Sequence, residues 1–312
     1  MNLFENQKNI LQILTSICQD FNLGSYISST VVNVGYEDLN YILESSSGKY
    51  FVKIFQNRAK EDINRLISYI LKAIQGGVHH PKFYEGNQGY LYNKDDLSLC
   101  VLEYVNGKSF YDLNLKPSFD ELRFLAQQSA LIHQMDLKPM PTYNQWALVN
   151  FVNEYNTKKS YLKKDDIKFI KPLYKIFGQI NFEKLPHTFV HGDIVATNVL
   201  KDKNNKIYII DFGVSNYYPR IIDLAVIMSN LCLVEDKNET IYRANILIEE
   251  YQKYTKLSDE EIGLLPIFTR AANALHILGV NYEETKNSTS KHSKENTYWL
   301  NQGRLGLRQY ME

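Results

Sequence analysis

Residues 191–200 read HGDIVATNVL, and residues 206–213 read KIYIIDFG. The first stretch follows an apolar, strand-like run. The second is itself β-branched and ends on a carboxylate. Polar side chains at the ends of buried strands are costly unless something engages them, so the loop between these strands is where chemistry is expected. Asp193, Asn198 and Asp211 are three oxygen-bearing side chains on one strand–loop–strand unit. Two strands joined by a tight turn bring their ends together, so the three can converge. Asp and Asn oxygens are the ligands that Mg2+ prefers, and a carboxylate left off the metal can orient or deprotonate a hydroxyl. Each residue alone reads equally well as a turn former or a strand cap. The set at this spacing is better explained by a site.

Outward from this segment the chain changes character twice. Residues 3–21 carry Ile10, Leu11, Leu14, Ile17, Cys18 and Phe21 on one helical face, and Gly24 stops the helix. The stretches TVVNVGYEDLNYILES (30–45) and SSSGKYFVKIF (45–55) read as strands broken by turns, with Lys53 deep in the second. Residues 58–75 return to helical spacing. FYEGNQGYLYN (83–93) and SLCVLEYV (98–105) supply two further strands. From Gly107 onward helices dominate, and two of them open with a capping box, Ser118 with Glu121 and Ser258 with Glu261. Strands first and helices afterwards predict an α+β chain in two lobes, residues 1–104 and 105–312.

The combination HGDIVATN, IYIIDFG and RIIDLA (220–225) resembles the catalytic core of the aminoglycoside phosphotransferase family, which includes choline kinases and homoserine-kinase-like enzymes. The resemblance runs from about residue 30 to the C-terminal helices. It implies a bilobal protein-kinase-like fold, with a small β-rich N-lobe and a larger helical C-lobe. It also implies ATP-dependent phosphoryl transfer to the hydroxyl of a small molecule, with ATP and Mg2+ as cofactors. On the matching positions, Asp193 is the catalytic carboxylate, and Asn198 and Asp211 are the metal ligands. Asp223 holds the catalytic loop through its backbone, and His191 is part of the loop scaffold. Lys53 in YFVKIF matches the strand lysine that pairs with nucleotide phosphates. Its carboxylate partner is expected from the helix at 58–75, with Glu61 first and Asp62 second; both also suit the dipole of a helix start. Gly35 in NVGYEDLNYIL marks the turn over the phosphates. Glu103, Tyr104 and Val105 in LEYVNG form the hinge whose backbone bonds adenine.

The bulk composition excludes other classes. Lys plus Arg and Asp plus Glu are both 35 in 312 residues, so the net charge is zero. That balance argues against sequence-independent binding to nucleic acid or to an anionic membrane. Cys18, Cys100 and Cys232 are far apart and read as buried thiols in a reducing compartment. No leader-like segment opens the chain and no run approaches eighteen apolar residues, so a cytoplasmic location is expected. Two alternatives share the fold. A protein Ser/Thr kinase fits poorly, because the loop reads HGD, no APE-like segment follows DFG, and Asp211 to Asp223 leaves no room for an activation segment. A nucleotide-binding pseudokinase has no need of the full set Lys53, Asp193, Asn198 and Asp211. For the acceptor, an amino alcohol such as homoserine and an aminoglycoside-type antibiotic both remain open, as does the oligomeric state.

Overall fold

A computed structural model of the chain describes residues 7–32, 38–56, 58–286 and 293–310. The chain divides into two compact units: Met1–Gln75 with His80–Gly107, and Gly76–His79 with Lys108–Glu312.

The first unit is built on one antiparallel sheet. Its strands are β1 (Tyr26–Val32), β2 (Leu39–Ser45), β3 (Gly48–Phe55), β4 (Tyr92–Lys94) and β5 (Leu97–Glu103), in the order β1-β2-β3-β5-β4. Helix α1 (Gln7–Asp20) places Leu14, Ile17 and Cys18 in one core with Leu43, Val52, Ile54, Leu99 and Val101. These strand residues alternate along their strands, as side chains on one face must. Lys53 lies between Val52 and Ile54, so its side chain leaves the sheet on the other face. The register sets Lys53 opposite Asn40 on one side and Cys100 on the other. Helix α2 (Lys60–Gln75) buries Ile63, Ile67, Ile70 and Ala73, the stripe its spacing predicts. The segment expected as a strand at 83–93 is mostly irregular. Only Tyr92 and Asn93 of it enter a strand, and Phe83 and Gly86 make isolated bridges. Its glycines, with φ +88° at Gly89, favour turns over ladder pairing.

The short strand β6 (Gly107–Ser109) marks the junction. The second unit follows as α3 (Phe110–Leu113), α4 (Phe119–His133), α5 (Phe151–Lys158), α6 (Lys164–Phe177), the strands β7 (His187–Val190), β8 (Val199–Asp202), β9 (Ile207–Ile209) and β10 (Asn216–Pro219), then α7 (Ile221–Asn230), α8 (Lys237–Tyr251), α9 (Asp259–Lys286) and α10 (Ser293–Gln309). β7 pairs with β10, and β8 with β9, both antiparallel. Both capping boxes form. Ser118 and Glu121 exchange side-chain-to-backbone bonds at the start of α4, as Ser258 and Glu261 do at α9. Glu261 also takes a two-pronged bond from Arg220, at 2.7 Å to each oxygen, which ties the entry of α7 to α9.

Helix α9 is long and apolar enough to cross a membrane by length and composition, a feature the run-length argument did not flag. Most of that window is buried inside the protein, and the helix carries buried Thr269 and Asn273, so it reads as the central core helix. The three cysteines are buried, and burial pushes the thiols of Cys100 and Cys232 up to about 12, which makes them inert.

Helices α9 and α10 approach closely at two glycines. A Cβ at Gly303 would meet the Asn273 carbonyl oxygen at 2.8 Å and Ile277 Cγ1 at 2.7 Å. The backbone oxygen cannot step aside. Gly303→Val is therefore expected to lower stability by about 2 kcal/mol or more, the scale of an overpacked core. A urea midpoint that does not fall in this variant means the two helices separate more easily than their packing indicates.

Candidate active site

The loop after β7 is shaped by one buried carboxylate. Asp223, in the first turn of α7, is fully buried. Its Oδ2 accepts from the His191 N–H at 3.0 Å, and its Oδ1 from the Gly192 N–H at 2.6 Å. Oδ2 also accepts from His133 Nε2 at 2.9 Å. A carboxylate only accepts, so that nitrogen carries a proton, and His133 Nδ1 lies 2.7 Å from the Tyr251 hydroxyl. Burial works to raise the Asp223 pKa. The hydrogen bond and charge of His133, the charge of His191 and the Gly192 N–H outweigh it, and the carboxyl is held below its usual range.

Gly192 turns the chain at φ +80°, where a Cβ would meet Val214 Cγ1 at 3.0 Å and the Val214 carbonyl oxygen at 3.3 Å. The His191 ring packs on Phe212 at 4.4 Å, and its Nδ1 accepts from the Asp193 N–H at 3.2 Å. Burial lowers the His191 pKa against the pull of Asp223 and Asp211. A ring that is buried and whose Nδ1 is engaged by the backbone has a scaffolding role, as the sequence pattern implies. Further along, the Ala196 N–H donates to Asn230 Oδ1 at 2.8 Å, and Asn230 Nδ2 donates to the Tyr298 hydroxyl at 3.0 Å. The loop is thus gripped at both ends from α7.

Within this frame Asp193 and Asn198 meet. Asn198 Nδ2 donates to Asp193 Oδ2 at 2.7 Å and to the Asp193 carbonyl at 3.0 Å. The amide nitrogen is spent on orienting the carboxylate. Asp211 follows β9. The Ile210 N–H donates to the Asn198 carbonyl at 2.9 Å, so Asn198 and Asp211 stand at the same end of the β8–β9 pair. Asp211 has φ +66°, a left-handed backbone that is uncommon outside glycine and concentrates at functional sites. Its Oδ1 accepts from the Gly213 N–H at 3.1 Å, and the side chain is exposed. Among the described residues no group of three His, Cys, Asp or Glu stands together to hold a metal. Asn198 and Asp211 would offer two protein oxygens, a small donor set whose chemistry suits Mg2+, which keeps waters and takes substrate phosphate oxygens.

In the first unit, Lys53 Nζ lies 3.2 Å from Asp38 Oδ2. Glu61, expected as its partner, sits exposed in the first turn of α2, and Asp62 pairs with Arg65 there. The sequence placed the lysine and missed the partner that this structure gives it, because the GYED stretch reads as a turn. In the hinge segment, Glu103 and Val105 already spend groups internally. The Glu103 N–H donates to the Lys82 carbonyl at 2.8 Å, and the Val105 carbonyl accepts from the Gly107 N–H at 2.8 Å. Tyr104 is half-buried. Gly35 lies outside the described residues. His133, Tyr251 and Asn230 escaped the sequence reading. Asn230 bonds the loop, His133 bonds the Asp223 that shapes it, and Tyr251 bonds His133, all from far along the chain.

Residues 29–256 match the profile of the phosphotransferase enzyme family. A homoserine kinase of Bartonella henselae is 22% identical over 284 residues, covering 84% of this chain and 83% of that protein. The structure resembles spectinomycin phosphotransferase solved with ADP and spectinomycin, at TM-score 0.67 and 14% identity, with 96% of this chain and 98% of that one covered. It also resembles a choline kinase from Streptococcus pneumoniae, at TM-score 0.63 and 14% identity, with 97% and 99% covered. The fold is the bilobal protein-kinase-like one. The chain belongs to the phosphotransferase enzyme family.

Asp223 sets a stability expectation with a definite sign. Its folded pKa lies below the unfolded carboxyl value of about 3.9, so its contribution is complete above about pH 4 and is lost as pH falls through the folded value. Asp223→Asn is expected to cost on the order of 3 kcal/mol at neutral pH, because a buried carboxylate that accepts from two backbone N–H groups and from His133 is lost. The urea midpoint of the wild type should then fall more steeply below about pH 4 than that of the variant. Parallel acid limbs would assign the loop's acid sensitivity elsewhere.

Proposed function

Starting from that membership, we propose that this chain transfers the terminal phosphoryl group of ATP to the hydroxyl of a small amino alcohol, with homoserine as the leading acceptor. The observation that carries the reaction type is the Asp193 carboxylate fixed at 2.7 Å by the Asn198 amide. A carboxylate so held presents its remaining lone pairs in one direction, where an acceptor hydroxyl is oriented and its proton received as the oxygen takes up phosphorus. The homoserine assignment is supported by a likeness that spans most of both chains, while spectinomycin and choline are the acceptors named for structural neighbours of lower identity.

The remaining roles follow from each group's chemistry. Asn198 Oδ1 and Asp211 would hold Mg2+, which supplies positive charge to the phosphate oxygens when bound. Lys53 contributes a fixed ammonium for the nucleotide phosphates. The hinge contributes backbone groups for adenine. Among the described residues nothing accepts from the Val105 N–H, which makes it the donor available to a purine nitrogen. His191 transfers no proton in this scheme, since its Nδ1 is bonded to the Asp193 N–H.

A coupled assay for ADP release with MgATP and homoserine, choline or spectinomycin tests the reading. Turnover is expected with homoserine and to vanish with chelated metal. An absence of phosphoryl transfer to any of the three would sink the assignment. Asp193→Asn keeps size and shape but loses the charge. It is expected to lower kcat by roughly 10²-fold or more, with the KM for ATP nearly unchanged. A variant within a few-fold of wild type would remove Asp193 from the mechanism.

A further inference from the structure

The pairing of Lys53 in the first unit has consequences for how a nucleotide-binding lysine is held. Asp38 immediately precedes β2, and the β2–β3 register sets Leu39 opposite Ile54 and Asn40 opposite Lys53. Asp38 therefore reaches the lysine along the sheet itself. Both of its oxygens are engaged: Oδ2 faces Lys53 Nζ at 3.2 Å, and Oδ1 accepts from the Gln56 N–H at 3.1 Å, just past the end of β3. The Asp38 side chain is only 4% exposed and that of Lys53 20%. A carboxylate buried to that extent needs a cation and donors for its lone pairs, and here it has both.

The acidic residues at the start of α2 offer no comparable setting. Glu61 is exposed, and Asp62 lies beside Arg65 in an exposed pair. Asp38 stands immediately before β2 with both oxygens engaged, whereas Glu61 and Asp62 lie exposed in the first turn of α2. The ammonium carries three N–H donors, so the Asp38 carboxylate sets its direction without using every donor it has.

We propose that Asp38 is the positioning residue of Lys53. It fixes the ammonium on the nucleotide-facing side of β3, so that the phosphates meet a preset cation rather than a wandering side chain. This rests on the phosphotransferase reading above.

Four full-length proteins test it: wild type, Asp38→Asn, Lys53→Ala and the double variant. They are assayed with MgATP and whichever of homoserine, choline and spectinomycin is turned over. Asparagine keeps an oxygen for the Gln56 N–H, so the fold is expected to persist, checked by the melting temperature. Asp38→Asn is expected to lower kcat at least 10-fold. In the Lys53→Ala background the same change should alter turnover less than twofold, because a residue that acts only through the lysine has nothing left to position. A second measurement needs no turnover. In the nucleotide-free chain, Asp38→Asn should speed Lys53 modification by an amine-acylating reagent several-fold, read by peptide mass, since an ammonium without its carboxylate gives up its proton more readily. An active wild type with an indifferent Asp38→Asn, losses that multiply in the double variant, or unchanged acylation would each overturn the inference alone. A wild type that transfers no phosphoryl group to any acceptor overturns the parent reading and this inference with it.

Discussion

The loop after β7 depends on a single buried anion. Asp223 accepts from two consecutive backbone amides, those of His191 and Gly192, and from His133 Nε2. Here the two N–H groups converge on that carboxylate in a sharp turn, and the second of the two residues takes a positive φ to make it. Gly192 meets that demand, and the close Val214 backbone excludes a side chain there. The direction of Asp193 follows from this turn, and the Asn198 amide follows from Asp193. The anion is nowhere near exposed to solvent, so its geometry does not drift with surface conditions.

What could be read from the sequence was what the chain keeps together. Asp193, Asn198 and Asp211 fall within two adjacent strands and their turn, so local spacing already implied a common end, and the β8–β9 pairing supplies it. Lys53 stood out because an ammonium between Val52 and Ile54 has no place in a buried strand face. The partners from distant segments were not legible. His133 ends a helix as an ordinary basic residue would, and Asn230 sits in an apolar run. Neither carries a local signal that it bonds the loop. Glu154 and Lys158 make a related point: spaced four apart on α5, they form an ion pair whose two partners are both buried. Helical spacing fixes which side chains are neighbours, and not what lies across from them.

The two readings of the lysine's partner show where a family resemblance stops. The resemblance places a carboxylate on the helix after β3, and the sequence provides Glu61 and Asp62 at that point. The structure offers Asp38 from the sheet instead, at an interaction distance and with its second oxygen satisfied. A positively charged group needs an anion of the right reach, and the chemistry is indifferent to which element brings it.

Glu261 carries one more implication. Its carboxylate closes the capping box of α9 and at the same time clamps Arg220 at the entry of α7. The Arg220 guanidinium also reaches the Lys256 carbonyl at 2.7 Å. One side chain thus serves two helix starts, and neither can fray without releasing the other. Because Asp223 belongs to the first turn of α7, the amides of the loop after β7 are tied to the same anchor. They are expected to exchange with solvent through a joint opening of α7, α9 and the loop rather than as a surface loop does.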